Sequence, residues 1–313
     1  MFPKAVSYIL ARKKPRTLLA LHHIPGPLRQ MTDTFANDDA LDTDLPPLPM
    51  AKPEPVRRRR SFASFRAIAA LVLREMSTTN GRTPGGYLWA ILEPAAGIAI
   101  LSVIFSLGFR NPAIGSSFAL FYATGVVPLT FFTAISGRVG AAVSYSRQLL
   151  AYPSVTFLDA ILARFLLNSL TQIMVAYVIF VGILYAFDVN VILNFPAIAT
   201  SLTMAGAMAL GFGTLNCFLF TKFPVWQQVW SILTRPLFIV SCVFNLFDQL
   251  PVWARDWLWY NPVIHAVGMM RHGFYSTYHA SYVSVSYVMG ISLVTGATGL
   301  LLLWRHQYSL LER

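Results

Sequence analysis

The charged and polar side chains of this sequence do not form the motifs that nucleotide hydrolysis or metal-dependent catalysis requires. No lysine is preceded by a glycine, so the G-x-x-x-x-G-K-[ST] loop that holds nucleotide phosphates is missing. H-E-x-x-H and G-x-S-x-G, the motifs of zinc proteases and serine hydrolases, are missing as well. We therefore expect no catalytic residue, metal ion or cofactor on this chain, and a partner or a gradient must supply energy for any work on a substrate.

Two short motifs near the start of the chain resemble known signals but stand in the wrong context. Asp42-Thr43-Asp44 has the D-x-D pattern of glycosyltransferase metal–nucleotide sites, but no strand flanks it. Arg59-Arg60-Ser61-Phe62 resembles a twin-arginine export signal, but Arg66 and Arg74 interrupt the apolar run that follows. No small-residue cleavage site comes after it either. We interpret both motifs as chance matches.

Glu93 and Arg235 are the ionisable residues that fall inside long apolar segments of the sequence. A proton-coupled transporter normally buries several ionisable residues along its pathway, so one glutamate makes a poor proton relay. Glu93 directly precedes Pro94 near the start of its segment. It is either a tether or gate contact between helices, or a carboxylate favoured by the dipole at a helix N-terminus.

The segment 137–164 combines arginine, tyrosine and leucine side chains in a way that suits a protein partner. An ordinary solvated connector, which is the alternative, would not need its leucines and tyrosines together. We predict a short helix that docks into a groove of a partner. The residues assigned to this docking are Tyr145, Arg147, Leu149, Leu150, Tyr152 and Pro153.

Four aromatic residues, Trp253, Trp257, Trp259 and Tyr260, lie close together in the segment 248–280. Aromatic rings can stack on the apolar faces of pyranose sugars, so these residues are candidates for a sugar path. The alternative is an aromatic belt, because Trp and Tyr also concentrate at the headgroup level of a membrane.

The elements that position these residues are long apolar helices. The chain has 56% apolar and 12% charged residues, whereas soluble proteins have about 25% charged residues. About 20 apolar helical residues cross a bilayer core of about 30 Å, and six segments reach that length. The predicted spans are residues 87–109, 117–136, 165–187, 195–221, 229–247 and 281–304. The predicted fold class is an all-α polytopic membrane protein.

The basic residues predict the orientation of these helices. Of 24 Lys and Arg residues, 14 lie in residues 1–86. With the N-terminus in the cytoplasm, 20 basic residues lie inside and three outside, as the positive-inside rule requires. We therefore predict that both termini are cytoplasmic, including residues 305–313. Nucleic-acid binding is not expected, because the charges do not form a stripe on a soluble fold.

The segments outside the spans also have distinct compositions. Residues 1–60 are basic and proline-rich, which predicts a disordered cytoplasmic tail. Residues 61–86 contain apolar residues at helical spacing and predict an amphipathic interfacial helix with a gate segment. Residues 248–272 are too polar and proline-broken to span a membrane, yet too apolar for a free loop. We predict one or two short re-entrant helices there.

Three ordered blocks within residues 65–313 carry a family resemblance. The first runs from Arg74 to Pro94 and includes Gly81-Arg82 and Gly86-Tyr87-Leu88-Trp89; the second runs from Leu149 to Arg164; the third combines Asn261-Pro262 and His265 with Arg271-His272-Gly273-Phe274. Together they resemble the ABC-2 permease family, specifically its capsular polysaccharide export inner-membrane proteins. Two residues depart from the family pattern. Asn80 stands where the family has an aromatic residue, and Gly268 stands where relatives often have a glutamate.

This resemblance implies an ABC-2 (type V) exporter fold with six transmembrane helices, an interfacial helix before the first and re-entrant helices before the last. It implies a homodimer in the inner membrane of a Gram-negative bacterium, bound to two copies of a separate P-loop ATPase subunit that holds ATP and Mg. It further implies outward passage of a lipid-linked capsular polysaccharide, together with a periplasmic co-polymerase or adaptor and an outer-membrane export protein.

On this hypothesis the site residues have three roles. The docking helix couples to the ATPase, and the aromatic residues around Trp257 guide sugar at the outer exit. The residues assigned to the substrate entrance and its lipid phosphate are Arg66, Arg74, Arg82, Trp89 and Glu93. The alternatives are an O-antigen or teichoic-acid exporter of the same superfamily, a membrane-embedded glycan or lipid transferase, and a purely structural scaffold.

Overall fold

A computed structural model of the protein describes residues 63–79, 86–150, 156–189 and 191–306. These described residues form helices, turns and loops, and no β-strand occurs among them. The predicted tail over residues 1–60 lies outside the described residues, so its disorder stays a prediction.

Ten α-helices and one short 3-10 turn make up the described part of the chain. The helices are α1 (Ala63–Thr79), α2 (Gly86–Gly108), α3 (Phe118–Gly140), α4 (Ala142–Leu150), α5 (Phe157–Ala186), α6 (Phe195–Lys222), α7 (Pro224–Val240), α8 (Val252–Leu258), α9 (Pro262–Phe274) and α10 (Val285–Arg305), and the 3-10 turn covers Phe247–Gln249. The all-α fold class predicted from the sequence is confirmed.

Five of these helices, α2, α3, α5, α6 and α10, are long and apolar enough to cross a membrane. The remaining predicted span, residues 229–247, corresponds to α7, which has 17 residues and contains Pro236 and Arg235. Seventeen residues of helix measure about 25 Å, the lower end of the length that crosses a bilayer.

The first turns of α5 differ from the sequence prediction, which placed the start of this span at residue 165. The helix begins at Phe157 because Thr156 and Asp159 form a capping box. The Asp159 N–H donates to Thr156 Oγ1 at 3.2 Å, and the Thr156 N–H donates to Asp159 Oδ2 at 2.9 Å. The two side chains satisfy backbone groups that a helix start leaves unpaired. These first turns carry Arg164, whose partners are described below.

The end of α7 also differs, because the helix predicted over residues 229–247 begins at Pro224 and ends at Val240. Cys242, just beyond it, has φ +58, a conformation that no helix accommodates. The Arg271 guanidinium then donates to the carbonyls of Val243 and Asn245, at 2.9 and 2.8 Å. A side chain 28 residues along the sequence therefore stabilises the non-helical turn.

Helix α6 lies at the centre of the bundle and packs against α3, α9 and α10. Its small residues permit these close approaches. Ala205 and Ala209 are fully buried, and Gly213 faces Val139 of α3. The small-residue stripe that these three positions form in the sequence therefore packs against neighbouring helices, as in other membrane bundles.

The contact between α6 and α10 depends on glycine at two positions. A Cβ atom added at Gly299 would meet the backbone of Leu215, and one added at Gly211 would meet the carbonyl of Ser292. By contrast, a Cβ added at Gly290, also in α10, would meet nothing within 4 Å.

We predict that Gly299→Ala destabilises the bundle by about 1–3 kcal/mol, because the added methyl group forces the α6 and α10 backbones apart. Gly290→Ala is the matched control, and its higher helix propensity should leave stability unchanged or raise it by up to about 1 kcal/mol. Unfolding of the purified protein in detergent and denaturant would measure both changes. Equal stability of the two variants would show that the α6–α10 contact does not need glycine at position 299.

Helices α2 and α7 lie on the outside of the single chain. No residue of α7 is buried, and Ile98 is the buried residue among the described side chains of α2. Both helices pack against α3, and the rings of Phe105 in α2 and Phe244 beyond α7 lie 5.5 Å apart. The single chain therefore leaves most of the surface of these two helices uncovered.

Candidate functional site

The candidate site residues lie at the two ends of the helical bundle. At one end, which we call the α4 end, α1 and α4 pack against the first turns of α5. At the other, which we call the α9 end, α8 and α9 lie near the starts of α3, α6 and α10. The short helix predicted within the segment 137–164 is present as α4.

A buried ion pair joins α1 to α5 at the α4 end. Arg164 Nε lies 3.1 Å from Oε1 and 3.2 Å from Oε2 of Glu75. Each side chain is only 6% exposed, so little water weakens the attraction between the two charges. Removing either partner would take this opposite charge away from a buried group, which is destabilising.

Arg164 also holds α3 and α4. Its Nη1 donates to the carbonyl of Arg138 near the end of α3, at 2.8 Å. Its guanidinium carbon lies 4.1 Å from the ring centroid of Tyr145 in α4, and the Arg74 guanidinium carbon lies 5.7 Å from the same ring. Both distances fall within the range of cation–π attraction. We call Glu75, Arg164 and Tyr145 the junction, since contacts through them join α1, α3, α4 and α5.

The junction brings together residues that the sequence analysis assigned to separate sites. Tyr145 was assigned to partner docking and Arg74 to the lipid phosphate, yet the Arg74 guanidinium lies over the Tyr145 ring. Glu75 and Arg164 themselves were not assigned to any site. They are 89 residues apart, so sequence spacing gives no signal of their pairing. Their charges within apolar surroundings are the one feature that could have singled them out.

The structure describes the other predicted docking residues, and Arg82, only in part or not at all. Arg147, Leu149 and Leu150 lie on α4, where the structure describes the backbone alone. Tyr152, Pro153 and Arg82 lie outside the described residues.

The predicted entrance residues on α1 and α2 lie at the surface of the single chain. Arg66 is exposed, Arg74 is half-buried, and Glu93 is exposed. Trp89 is 69% exposed. These side chains are accessible to a ligand on the single chain.

At the α9 end, the four predicted aromatic residues fall into two groups. Trp253, Trp257 and Tyr260 are exposed, with Trp257 at 80%. Trp259 is half-buried, and its indole N–H donates to the carbonyl of Tyr282 at 3.0 Å. The exposed rings are available for stacking, whereas Trp259 holds the turn between α8 and α9 in place.

His265 anchors the same turn from α9. The Ser284 N–H points at His265 Nδ1, 3.2 Å away, so Nδ1 accepts and Nε2 carries the hydrogen. Nε2 then donates to the carbonyl of Trp259 at 2.9 Å. The Tyr287 hydroxyl donates to the carbonyl of Tyr260 at 2.8 Å. These bonds connect α8, α9 and the start of α10, and they give His265 a structural role.

Arg271 is the central buried residue of the α9 end. Its side chain is fully buried, and its guanidinium carbon lies 4.4 Å from the ring centroid of Phe121 in α3. Within the described residues it forms no ion pair with a carboxylate, and the carbonyls of Val243 and Asn245 accept from it instead. Burial raises the pKa of the nearby Tyr278 hydroxyl, so that side chain stays neutral beside the arginine.

At Gly268, one of the two departures from the family pattern, the structure leaves no room for a side chain. A Cβ atom added at Gly268 would collide with the hydroxyl of Tyr282. The Tyr282 ring stacks on Phe247, with centroids 4.1 Å apart. Tyr282 therefore fills the space that a side chain at position 268 would need.

Comparison with known proteins places this architecture in one family. The family model described as ABC-2 type transporter matches residues 66–275. The polysialic acid transport protein KpsM of Escherichia coli is 32% identical over 235 residues, which cover 75% of this chain and 91% of that protein. The capsule polysaccharide export inner-membrane proteins BexB of Haemophilus influenzae and CtrC of Neisseria meningitidis serogroup B are 25% and 26% identical, each over 89% of its length. The family match runs from α1 to the end of α9, and the chain belongs to the ABC-2 type transporter family.

Proposed function

We propose that this chain is the membrane-spanning permease subunit of an ABC transporter that exports a lipid-linked capsular polysaccharide across the inner membrane. The single observation that carries the proposal is its similarity to KpsM, BexB and CtrC, whose names describe polysialic acid transport and capsule polysaccharide export. The missing phosphate loop in the sequence supports a separate ATPase subunit that binds ATP and Mg.

The proposed topology has six spans, with both termini in the cytoplasm of a Gram-negative bacterium. Five spans are the long apolar helices, and α7 is the sixth, because its 17 residues reach the minimum length for a bilayer. Helices α8 and α9, of seven and 13 residues, would re-enter from the outer side. In this orientation the α4 end is cytoplasmic, and the α9 end faces the periplasm.

Each end of the bundle then has a distinct task in the transport cycle. Helix α4 would dock on the ATPase, and the junction would carry its movement to α1 and α5. Arg66, Arg74 and Arg82 would attract the lipid phosphate at the inner interface, beside Trp89 and Glu93. Two permease chains would pair with two ATPase subunits, and the periplasmic adaptor and the outer-membrane protein would receive the polysaccharide.

Deletion of the gene in its own host tests this function. We expect surface polysaccharide to disappear and its lipid-linked form to accumulate inside the cell. A plasmid copy should restore export only in a host that also has an active P-loop ATPase subunit. Unchanged surface polysaccharide would contradict an export role. Loss of O-antigen or teichoic acid instead of capsule would contradict the assigned substrate.

The exposed aromatic residues of α8 provide a prediction about the sugar path. We expect Trp253→Ala combined with Trp257→Ala to lower surface polysaccharide several-fold, because exposed rings can stack on sugars without supporting the fold. Trp304→Ala is the control, since Trp304 is as exposed as Trp253, at 72%, but lies near the end of α10. Immunoblotting would confirm equal amounts of each variant in the membrane. Equal export by all variants would contradict the sugar path and would support the alternative, an aromatic belt at the headgroup level.

A further inference from the structure

A long groove lies between α2 and α5. Its volume is about 760 Å³, within the range of protein sites that hold small molecules. The lining residues of α2 recur along one face of that helix, from Ile91 to Ser106, and those of α5 lie between Val178 and Ala186. At 1.5 Å per residue, the stretch from Ile91 to Ser106 measures about 22 Å. One leaflet of a bilayer core is about 15 Å deep, so the groove is long enough for a whole acyl chain.

Small side chains line both walls of this groove. Ala99 of α2 faces it, as do Gly182 and Ala186 of α5. Small residues usually bring membrane helices into close contact, as they do at Gly211 and Gly299 between α6 and α10. The walls here stay apart, because a Cβ atom added at Gly182 would meet nothing within 4 Å. The two helices therefore leave room for a chain of atoms between them.

The lining is apolar over most of its length. Among the described residues that form it, none is charged. The hydroxyls of Ser102 and Ser106 donate to carbonyls of their own helix, at 2.7 and 2.9 Å. Water would find few partners in such a groove. Walls that lack neighbouring atoms also lose dispersion contacts, so hydrocarbon is the filling that suits this surface.

Polar groups are gathered at one end of the groove. Ser116 and Ser117 line it just before α3 begins. Arg110, in the connection between α2 and α3, is exposed, and so is Asp188, just after the last turn of α5. An apolar groove with hydroxyls and charges of both signs at one end matches a phospholipid. Its acyl chain is apolar, and its glycerol and headgroup are polar.

We infer that this groove binds an acyl chain of a membrane phospholipid, which holds α2 at a fixed distance from α5. The site requires only that these helices cross a membrane, as their length and composition permit. Its assignment to the outer leaflet rests on the proposed topology, which turns this end of the bundle toward the periplasm. Because Ile98 is the buried residue among the described side chains of α2, the lipid would cover a further face of that helix.

The lipid anchor of the exported polysaccharide is the other lipid that could enter the groove. It would first meet the predicted entrance residues, and its sugars would pass the exposed aromatic rings of α8. The groove lining includes neither Trp89 nor Glu93, and it includes no residue of α1 or α8. The groove is therefore separate from the proposed substrate path, which favours a lipid of the surrounding membrane.

Photo-cross-linking of a retained lipid tests this site. The full chain is reconstituted into vesicles of phosphatidylethanolamine and phosphatidylglycerol that contain a phosphatidylethanolamine with a diazirine on its acyl chain. It is then extracted, washed in detergent and irradiated, so that only lipid held by the protein reacts. We expect label on the peptides of α2 and α5 that line the groove. Helix α7, which has no buried residue, should carry none.

An aromatic side chain in the groove should displace the lipid. We expect Gly182→Phe to lower the retained label at least about fivefold, because the ring takes the volume that the acyl chain needs. Ala99→Phe fills the groove from the opposite wall and should do the same, so the test does not depend on the folding of one variant. Gly290→Phe is the matched control. Gly290 lies five residues from the start of α10, as Gly182 lies four from the end of α5, and an added Cβ meets nothing within 4 Å at either glycine.

Three results would overturn the inference. The first is a native chain without label, which would leave the groove to a second copy of the chain or to another protein. The second is equal label in Gly182→Phe, Ala99→Phe and Gly290→Phe. The third comes from mass spectrometry of the lipid extracted from the chain after purification from its host. Phospholipid is the expected result, whereas a lipid that carries sugar would assign the groove to the substrate anchor.

These measurements separate the lipid site from the proposed function, because retention of the label needs neither ATP nor polysaccharide. A chain that retains phospholipid in the groove but exports no capsule would contradict the proposed function alone. Capsule export by a chain that retains no phospholipid would contradict the lipid site alone.

Discussion

Arg164→Met should abolish export and destabilise the protein by about 3–5 kcal/mol, because it removes the positive charge that lies beside the buried Glu75 carboxylate. Arg164 is the residue through which α1, α3, α4 and α5 meet, by its ion pair, its bond to the Arg138 carbonyl and its stacking on Tyr145. Denaturant unfolding in detergent measures the stability, and surface polysaccharide measures export.

The double variant Glu75→Leu with Arg164→Met separates stability from coupling. Replacing a buried ion pair by apolar residues of similar size is often neutral or stabilising, so we expect this variant to recover most of the lost stability. It should not recover export, because the guanidinium that stacks on Tyr145 and binds the α3 carbonyl is still absent. ATP hydrolysis by the assembled complex should continue while export stays low. If stability and export both recovered fully, the ion pair would only stabilise the fold, and it would not carry the movement of α4 to α1 and α5.

Much of the fold could be predicted from the sequence, because hydrophobic length is a local property. The apolar segments around Gly97, Val127 and Met208 are long runs with few charges, and each coincides with a long helix. The resemblance at Arg74–Pro94 and Leu149–Arg164 likewise depended on contiguous residues, and the family match confirmed it. Such features need no knowledge of which side chains meet in space.

What the sequence could not predict depends on contacts between distant residues. The end of α7 at Val240 depends on Arg271, which bonds to carbonyls beyond the helix. The junction depends on Glu75 and Arg164, whose pairing follows from the packing of α1 on α5. In both cases an arginine from one element satisfies groups of another, and the charge alone does not reveal its partner. Local periodicity therefore predicts the helices better than their ends or their junctions.

The second large effect is expected for Arg271→Met, which should loosen the turn between α7 and α8. The substitution leaves the carbonyls of Val243 and Asn245 without their donor inside the protein, at a cost of about 1–3 kcal/mol for each. Cys242 lies in this turn and reports on it, because burial raises the pKa of its thiol to about 11 and keeps it unreactive. We expect maleimide to label Cys242 much faster in the variant than in the native chain.

Cys217 provides the internal control, because it is fully buried in α6, at a distance from Arg271 in the sequence. Faster labelling of Cys242 alone would show that the turn opens locally, whereas labelling of both cysteines would show that the whole bundle unfolds. Arg110→Met removes an exposed arginine and should change neither rate. Unchanged labelling of Cys242 in Arg271→Met would mean that other contacts hold the turn. A locally opened turn should also lower export, because Arg271 connects the turn to α9, and α9 packs against α3 and α6.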